Sequence, residues 1–275
     1  MLIRIKVGCM KKANVSAFVL LTAFLMLLSG CVTGAQFKGR SLLTDKEINL
    51  KGTIYKPAGE GPFPAVIVMS GCMGRNDLSA QWGQTLKGWG YVAFEIDSFG
   101  PRGGGHSCSG QGGGPGYSER ALDAYYAKAY LNTLPYVKRD QVGIMGNSHG
   151  GGTTVTALNP EILEDLPKDA ATPFKVGVAF YPWCFVDFSE VKYPLLVLTG
   201  KADEWHSENN CRENISNAKK MNCPITYKAF DGAHHLFDWI GMDSRSQFGH
   251  TLRYHPKAAE EATEMTKAFL AKYLK

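Results

Sequence analysis

The sequence predicts an α/β fold in which a mostly parallel sheet carries helices on both faces. Three observations lead there. Short β-branched apolar runs recur from residue 65 onward, longer amphipathic stretches separate them, and the best runs are apolar at consecutive rather than alternate positions. A strand that is apolar throughout must bury both faces, which happens when crossover helices cover a parallel sheet on each side.

Ala65-Val66-Ile67-Val68-Met69 is the clearest such run. A helix over 79–89 follows, with Trp82, Leu86 and Trp89 on one side, then a strand over 91–96 and a glycine-rich loop to residue 116. Residues 118–134, opened by Ser118 and Glu119 and rich in alanine, read as a helix. A short strand over 142–145 leads into Gly146, with a helix over 151–158 behind it. Strands over 176–181 and 195–199, a helix over 215–221 and a strand over 225–230 come next. In the last helix, over 257–274, Ala258, Ala262, Met265, Phe269 and Tyr273 recur at helical intervals. Residues 159–174 are polar, contain proline and break the alternation, as a surface excursion does.

A chain of 275 residues, 44% hydrophobic and 20% charged, can bury a full core as one domain. Its formal charge of +5 is misleading. Arg4, Lys6, Lys11 and Lys12 all lie in the first thirty residues, which hold no acid, and the remaining basic side chains nearly match the 25 acids. No nucleic-acid footprint survives that subtraction. The same thirty residues join a basic segment to an apolar run over 17–28 and then to Leu28-Ser29-Gly30-Cys31, the layout of an export signal. The run is shorter than the ~20 apolar residues that a spanning helix needs. The quartet resembles the lipobox of bacterial lipoproteins, which implies cleavage before Cys31, acylation of its thiol and a membrane-anchored product in the cell envelope; a secreted or periplasmic protein is the alternative. The expected organisation is a signal peptide over 1–30, a tether over 31–50 and one domain over 51–275.

Of the seven cysteines, Cys9 and Cys31 belong to that leader. The scattered spacing of Cys72, Cys108, Cys184, Cys211 and Cys223 does not suggest zinc, and an oxidising compartment favours disulfides. Spacing does not fix the pairing; Cys184–Cys211 and Cys72–Cys108 are the expected bridges, with Cys223 free.

The chemistry centres on Gly146-Asn147-Ser148-His149-Gly150, a G-x-S-x-G motif between a strand and a helix. Flanking glycines permit a turn too sharp for a Cβ, and the helix N-terminus behind Ser148 favours developing negative charge. A serine hydroxyl is a poor nucleophile until a base takes its proton. In an α/β-hydrolase the acid and then the histidine follow the serine, on loops after late strands. His234 or His235, after the strand over 225–230, is the base. Asp203, past the strand over 195–199, is the expected acid, with Glu204 its neighbouring competitor, while Asp231 and Asp238 follow the wrong strand. The His149 side chain is expected to line the pocket, His106 to lie on the glycine-rich loop, and His206, His250 and His255 to be surface residues. Two backbone donors must meet the tetrahedral oxyanion: the N–H of His149, and that of Cys72 with Met73 as the alternative.

With Ser70-Gly71-Cys72, Asp97-Ser98-Phe99-Gly100-Pro101-Arg102-Gly103, Tyr181-Pro182-Trp183-Cys184, residues 200–205 and the run from Gly232 to Phe237, these landmarks resemble the dienelactone hydrolase family of α/β-hydrolases. The likeness extends from about Tyr55 to the C-terminus. It implies the α/β-hydrolase fold, matches Asp203 to the family's acid three residues after the strand-ending glycine, and selects His235 because a residue of any type and then phenylalanine follow it. One departure stands out: the founding lactone hydrolases carry a cysteine where this chain has Ser148. The expected function is hydrolysis of a small-molecule ester or lactone through an acyl-enzyme, with no metal or organic cofactor. Met73, Arg102, Trp183 and Trp205 are expected around the substrate, although a salt bridge is the commoner role for such an arginine; Phe237 and Trp239 belong either to the pocket wall or to the core. The rival functions are a serine peptidase or acyltransferase on the same fold, and a catalytically silent, surface-anchored binding protein.

Overall fold

The computed structural model describes residues 30–109, 112–168, 170–242 and 245–275, so the expected signal peptide lies outside the described residues except for Gly30. Strands β1 (Cys31–Arg40), β2 (Glu47–Lys56), β3 (Phe63–Met69), β4 (Val92–Asp97), β5 (Val137–Asn147), β6 (Gly177–Phe180), β7 (Leu195–Gly200) and β8 (Ile225–Phe230) form one sheet in the order β1-β2-β4-β3-β5-β6-β7-β8. From β4 to β8 neighbouring strands run parallel; β2 is antiparallel to β4 and β1 to β2. A small hairpin of β9 (Arg245–Gln247) and β10 (His250–Leu252) stands apart.

Helices cover both faces, as the doubly apolar strands require. On one side Val66 and Val68 of β3 pack with Leu78, Trp82 and Leu86 of α1 (Asp77–Gly88) and with Ala258, Ala262 and Leu270 of α5 (Pro256–Leu274). Their neighbours Ala65, Ile67 and Met69 point the other way, toward α2 (Tyr117–Leu131), α3 (His149–Ala157) and α4 (Glu208–Lys220), represented by Ala124, Val155 and Ile215. The alternation of side chains along a strand thus feeds two cores from one run. Local signals end the helices where they should. Asn76 and Ser79 form a reciprocal capping box at the start of α1 (3.0 and 3.1 Å), and His255 with Pro256 opens α5.

Three stretches differ from expectation. The tether over 31–50 is instead a hairpin: β1 pairs along β2 from Cys31 opposite Lys56 to Arg40 opposite Glu47. Polar residues on its solvent side give this edge strand the composition of a linker, but Phe37 turns inward and meets Phe94 and Tyr130 at ring distances of 5.4 and 5.8 Å. Helix α4 begins at Glu208 rather than 215, since the side chains of its first turns are polar and only Cys211, Ile215 and Ala218 are buried. The excursion over 159–174 is pinned to the core through Ile162, Leu166, Ala170 and Phe174.

Both disulfides form as expected. Cys72–Cys108 joins the loop after β3 to the glycine-rich loop, Cys184–Cys211 joins the loop after β6 to α4, and Cys223 is a buried thiol. Cross-links closing loops of 36 and 27 residues restrict the unfolded chain by roughly 3.5–4 kcal/mol each. The double variant Cys184→Ser/Cys211→Ser is expected to lose about that much stability in urea unfolding; an unchanged free energy would show that the second bridge holds nothing in place.

Candidate active site

Strand β5 ends at Asn147 and α3 begins at His149, so Ser148 alone makes the turn, at φ 56° and ψ −119°. That conformation is strained for a residue with a Cβ. It is held by the Ser148 N–H on Phe180 O and by the Gly152 N–H on Ser148 O, both at 3.0 Å. The space around the turn explains the glycines: a Cβ on Gly146 would lie 2.3 Å from Gly150 O, and one on Gly150 would lie 2.1 Å from Met69 O.

The parallel order brings the loops after β5, β7 and β8 to one end of the sheet. There Ser148 Oγ lies 2.9 Å from His235 Nε2, and His235 Nδ1 lies 2.7 Å from Asp203 Oδ2. All three side chains are buried. The other Asp203 oxygen accepts the amide N–H groups of Trp205 and His206, each at 2.9 Å. Burial pushes the Asp203 carboxyl up, but the His235 imidazole and the His206 amide outweigh it and hold the acid below its ordinary range. An ionised Asp203 accepts Nδ1–H, leaving the Nε2 lone pair for the Ser148 hydroxyl. Such a row can draw a proton from serine. Glu204, the competitor, instead accepts from Thr251 Oγ1 at 3.3 Å.

Behind the row lies a polar cluster that the sequence did not suggest. Asp238 is buried and accepts from the Tyr181 hydroxyl, from Trp82 Nε1 at 2.7 Å and from Asn147 Nδ2 at 3.0 Å. Burial raises its pKa while those hydrogen bonds work against the rise. The Tyr181 ring sits 4.6 Å from that of His235, so the cluster backs the imidazole and also grips the residue before Ser148. His206, expected on the surface, is buried: its Nδ1–H donates to Tyr181 O at 2.7 Å and its ring lies 4.7 Å from His235. A polar local sequence concealed that the turn carrying Asp203 folds His206 inward.

A cleft of about 520 Å³ opens above Ser148, lined by Tyr117, His149, Trp183, Trp205, His206 and the Cys72–Cys108 bridge, with parts of the glycine-rich loop. Trp183 and Trp205 therefore lie where expected; His250 stacks on Trp205 at 5.0 Å and Phe248, at the hairpin tip, leans on it at 5.7 Å. Two expected pocket residues do not join them. Met73 is 54% exposed and lies outside the lining. Arg102 turns away, its guanidinium forked onto Glu119 at 2.7 Å and Asp123 at 2.9 Å, because two buried carboxylates compete better for it than an open cleft. Phe237 is core, and Trp239 packs against the core half-buried. Cys72 reaches the cleft on a loop so close to the turn that a Cβ on Gly71 would lie 3.9 Å from Ser148 Cβ. His149 opens α3, so its N–H has no acceptor within the helix. Among the described residues no group of three His, Cys, Asp or Glu side chains is placed to hold a metal ion.

The model of the dienelactone hydrolase family matches residues 50–274. The chain belongs to the dienelactone hydrolase family. Its sheet and helices are those of the α/β-hydrolase fold, and solved structures share them. A dienelactone hydrolase-like promiscuous phosphotriesterase from metagenomic libraries is 16% identical at a TM-score of 0.66, over 90% of this chain and 100% of that one. Esterase 2 of Thermogutta terrifontis, phosphorylated by paraoxon, is 18% identical at 0.65, over 87% and 94%. A dienelactone hydrolase from Anabaena variabilis is 16% identical at 0.59, over 90% and 99%. No curated protein matches the sequence. At such identities the structures speak for the fold alone, and the family identifies the chain as a hydrolase.

The buried histidines are expected to make this hydrolase less stable in acid. Burial holds the pKa of His206 down to about 4, and burial with the charge of Arg120 holds that of His149 down to about 2. Unfolded histidines take up a proton near 6.5, so the unfolded state binds more protons below that pH and stability drains away as the pH falls. Urea unfolding between pH 6 and pH 4.5 is expected to weaken by about 1.4 kcal/mol per pH unit for each histidine. The slope is expected to be shallower by one such contribution in His206→Asn; equal slopes would contradict the assignment.

Proposed function

We propose that this dienelactone hydrolase-family protein is an exported serine hydrolase that cleaves carboxylic esters or lactones through an acyl-enzyme on Ser148. The observation that supports it best is the unbroken row from Ser148 Oγ to His235 (2.9 Å) to Asp203 (2.7 Å) at the floor of an aromatic cleft. Ser148 Oγ attacks the substrate carbonyl carbon while His235 Nε2 takes its proton, and Asp203 stabilises the imidazolium. The carbonyl oxygen becomes an oxyanion facing the N–H groups of His149 and Cys72, at the positive end of α3. His235 then protonates the departing alkoxide, and water, activated by the same imidazole, releases the acid and restores Ser148. No cofactor enters these steps. A neighbour phosphorylated by paraoxon and another described as a phosphotriesterase fit a site of this kind.

The test is a fluorophosphonate probe with p-nitrophenyl esters as substrates. Wild type is expected to be labelled and to turn over; Ser148→Ala is expected to lose labelling and at least roughly 10³–10⁴ of kcat. Labelling that persists in Ser148→Ala, in a folded protein, overturns the assignment.

The quartet ending at Cys31 supports a lipid anchor, and the two disulfides fit an exported protein. No described helix is long and apolar enough to cross a membrane. Cys31 is exposed and pairs with Lys56, at the end of the sheet where the parallel strands begin. An acylated Cys31 would leave the cleft facing away from the membrane, at the far end of those strands. Full-length Cys31→Ala is expected in the soluble fraction; continued membrane association would count against the anchor.

A further inference from the structure

Arg120, on α2, is 1% exposed and forms no ion pair at hydrogen-bond distance among the described residues. One of its terminal nitrogens lies 2.7 Å from His149 Nδ1, the other 2.7 Å from Ser70 O, and the guanidinium rests 5.0 Å over the Phe99 ring. A guanidinium has donors and no acceptor. His149 Nδ1 must therefore accept, which makes the ring neutral and puts its proton on Nε2. Desolvation, and then the charge of Arg120, lower the pKa of the ring and keep it neutral. Tyr117 stacks on the ring at 4.2 Å and 21° and fixes its plane. His149 lines the cleft, and with Nδ1 committed to the buried Arg120, Nε2–H is the polar atom the ring has left to offer.

The two walls of the cleft have different tasks. A leaving-group oxygen must come within reach of His235 Nε2 to be protonated. Trp205 and His206 flank that imidazole, with ring centroids at 5.1 and 4.7 Å, so the leaving group takes their side. That leaves the acyl group the part of the cleft lined by His149, Tyr117 and Trp183, where Tyr117 is stacked between the other two rings. Among the described residues no lysine or arginine lines the cleft, so the wall offers a neutral donor rather than a counter-charge.

We propose that His149, locked in one tautomer by Arg120, is a fixed uncharged hydrogen-bond donor in the acyl half of the cleft, and that the preferred substrates are esters or lactones whose acyl part carries an ether, keto or hydroxyl oxygen close to the reacting carbonyl. The inference rests on the ester-hydrolase assignment. Arg120 acts through His149 as a positioning residue, and it also ties Ser70, at the root of the loop carrying Cys72, to the residue that follows Ser148.

The experiment compares p-nitrophenyl butyrate with p-nitrophenyl methoxyacetate, equal in shape but for one oxygen in place of a methylene. Each kcat/KM is divided by the hydroxide-catalysed rate of the same ester, which removes their intrinsic difference in reactivity. Wild type is expected to prefer the methoxyacetate about tenfold, the worth of one hydrogen bond. His149→Phe keeps the backbone donor but loses the ring N–H, and its ratio is expected to fall to about one; His149→Gln, whose amide can donate, is expected to regain part of the preference. A ¹⁵N spectrum of the wild-type imidazole supplies a readout that needs no variant to fold: Nδ1 unprotonated and Nε2 protonated between pH 6 and 8. A wild-type ratio near one, an undiminished ratio in His149→Phe, or a proton on Nδ1 overturns the inference alone. Turnover of neither ester overturns the ester-hydrolase assignment and this inference with it.

Discussion

A chain that leaves a parallel strand and enters a helix through a single residue has very little room, and the rest of this site follows from that confinement. Ser148 reaches a positive φ because β6 and the first turn of α3 hold its backbone from both sides. Gly146 and Gly150 are required because the carbonyls of Gly150 and Met69 stand where their Cβ atoms would be. The contact at Met69 also brings the loop after β3 against the start of α3, so the turn that carries the hydroxyl to the floor of the cleft also draws the Cys72 loop close to it. A looser turn would move the hydroxyl and that loop apart.

Two buried polar clusters hold the turn, one on each side. Asp238, Tyr181 and Trp82 grip Asn147, the residue before it. Arg120 and Ser70 grip His149, the residue after it, through the ring and the adjoining loop. In surroundings of low dielectric such hydrogen bonds are strong when complete and expensive to leave half made. Their arrangement explains why Arg120 and Asp238 are buried beside the turn: each fixes a neighbour of Ser148 that packing alone would leave free to shift.

The rim of the cleft is built differently. Its glycine-rich loop has little apolar surface to bury and is fastened by Cys72–Cys108, while Trp205 is held from outside by His250 and Phe248 of the β9–β10 hairpin. The cleft thus has a floor set by the turn and a rim held by one covalent bridge, a few ring contacts and hydrogen bonds such as that from Ser107 N–H to Cys72 O.

Much of this was legible in the sequence because it is written locally. Doubly apolar runs such as residues 65–69 report burial on both faces, the G-x-S-x-G pattern reports the turn, and strand ends point to Asp203 and to the His234–His235 pair, from which the family resemblance selects His235; His235 is the residue that hydrogen-bonds both Ser148 and Asp203. The edge strand β1 was hidden because an edge strand with one solvated side has the composition of a tether. Arg120, Tyr181, His206 and Asp238 were hidden for a deeper reason. A buried polar residue is defined by partners on other elements, and those of Asp238 stand at positions 82, 147 and 181. Residue type and spacing determined the fold and nominated the reacting groups; only the packed chain decided which polar side chains have partners, because burial and hydrogen-bond geometry exist between segments and not within them.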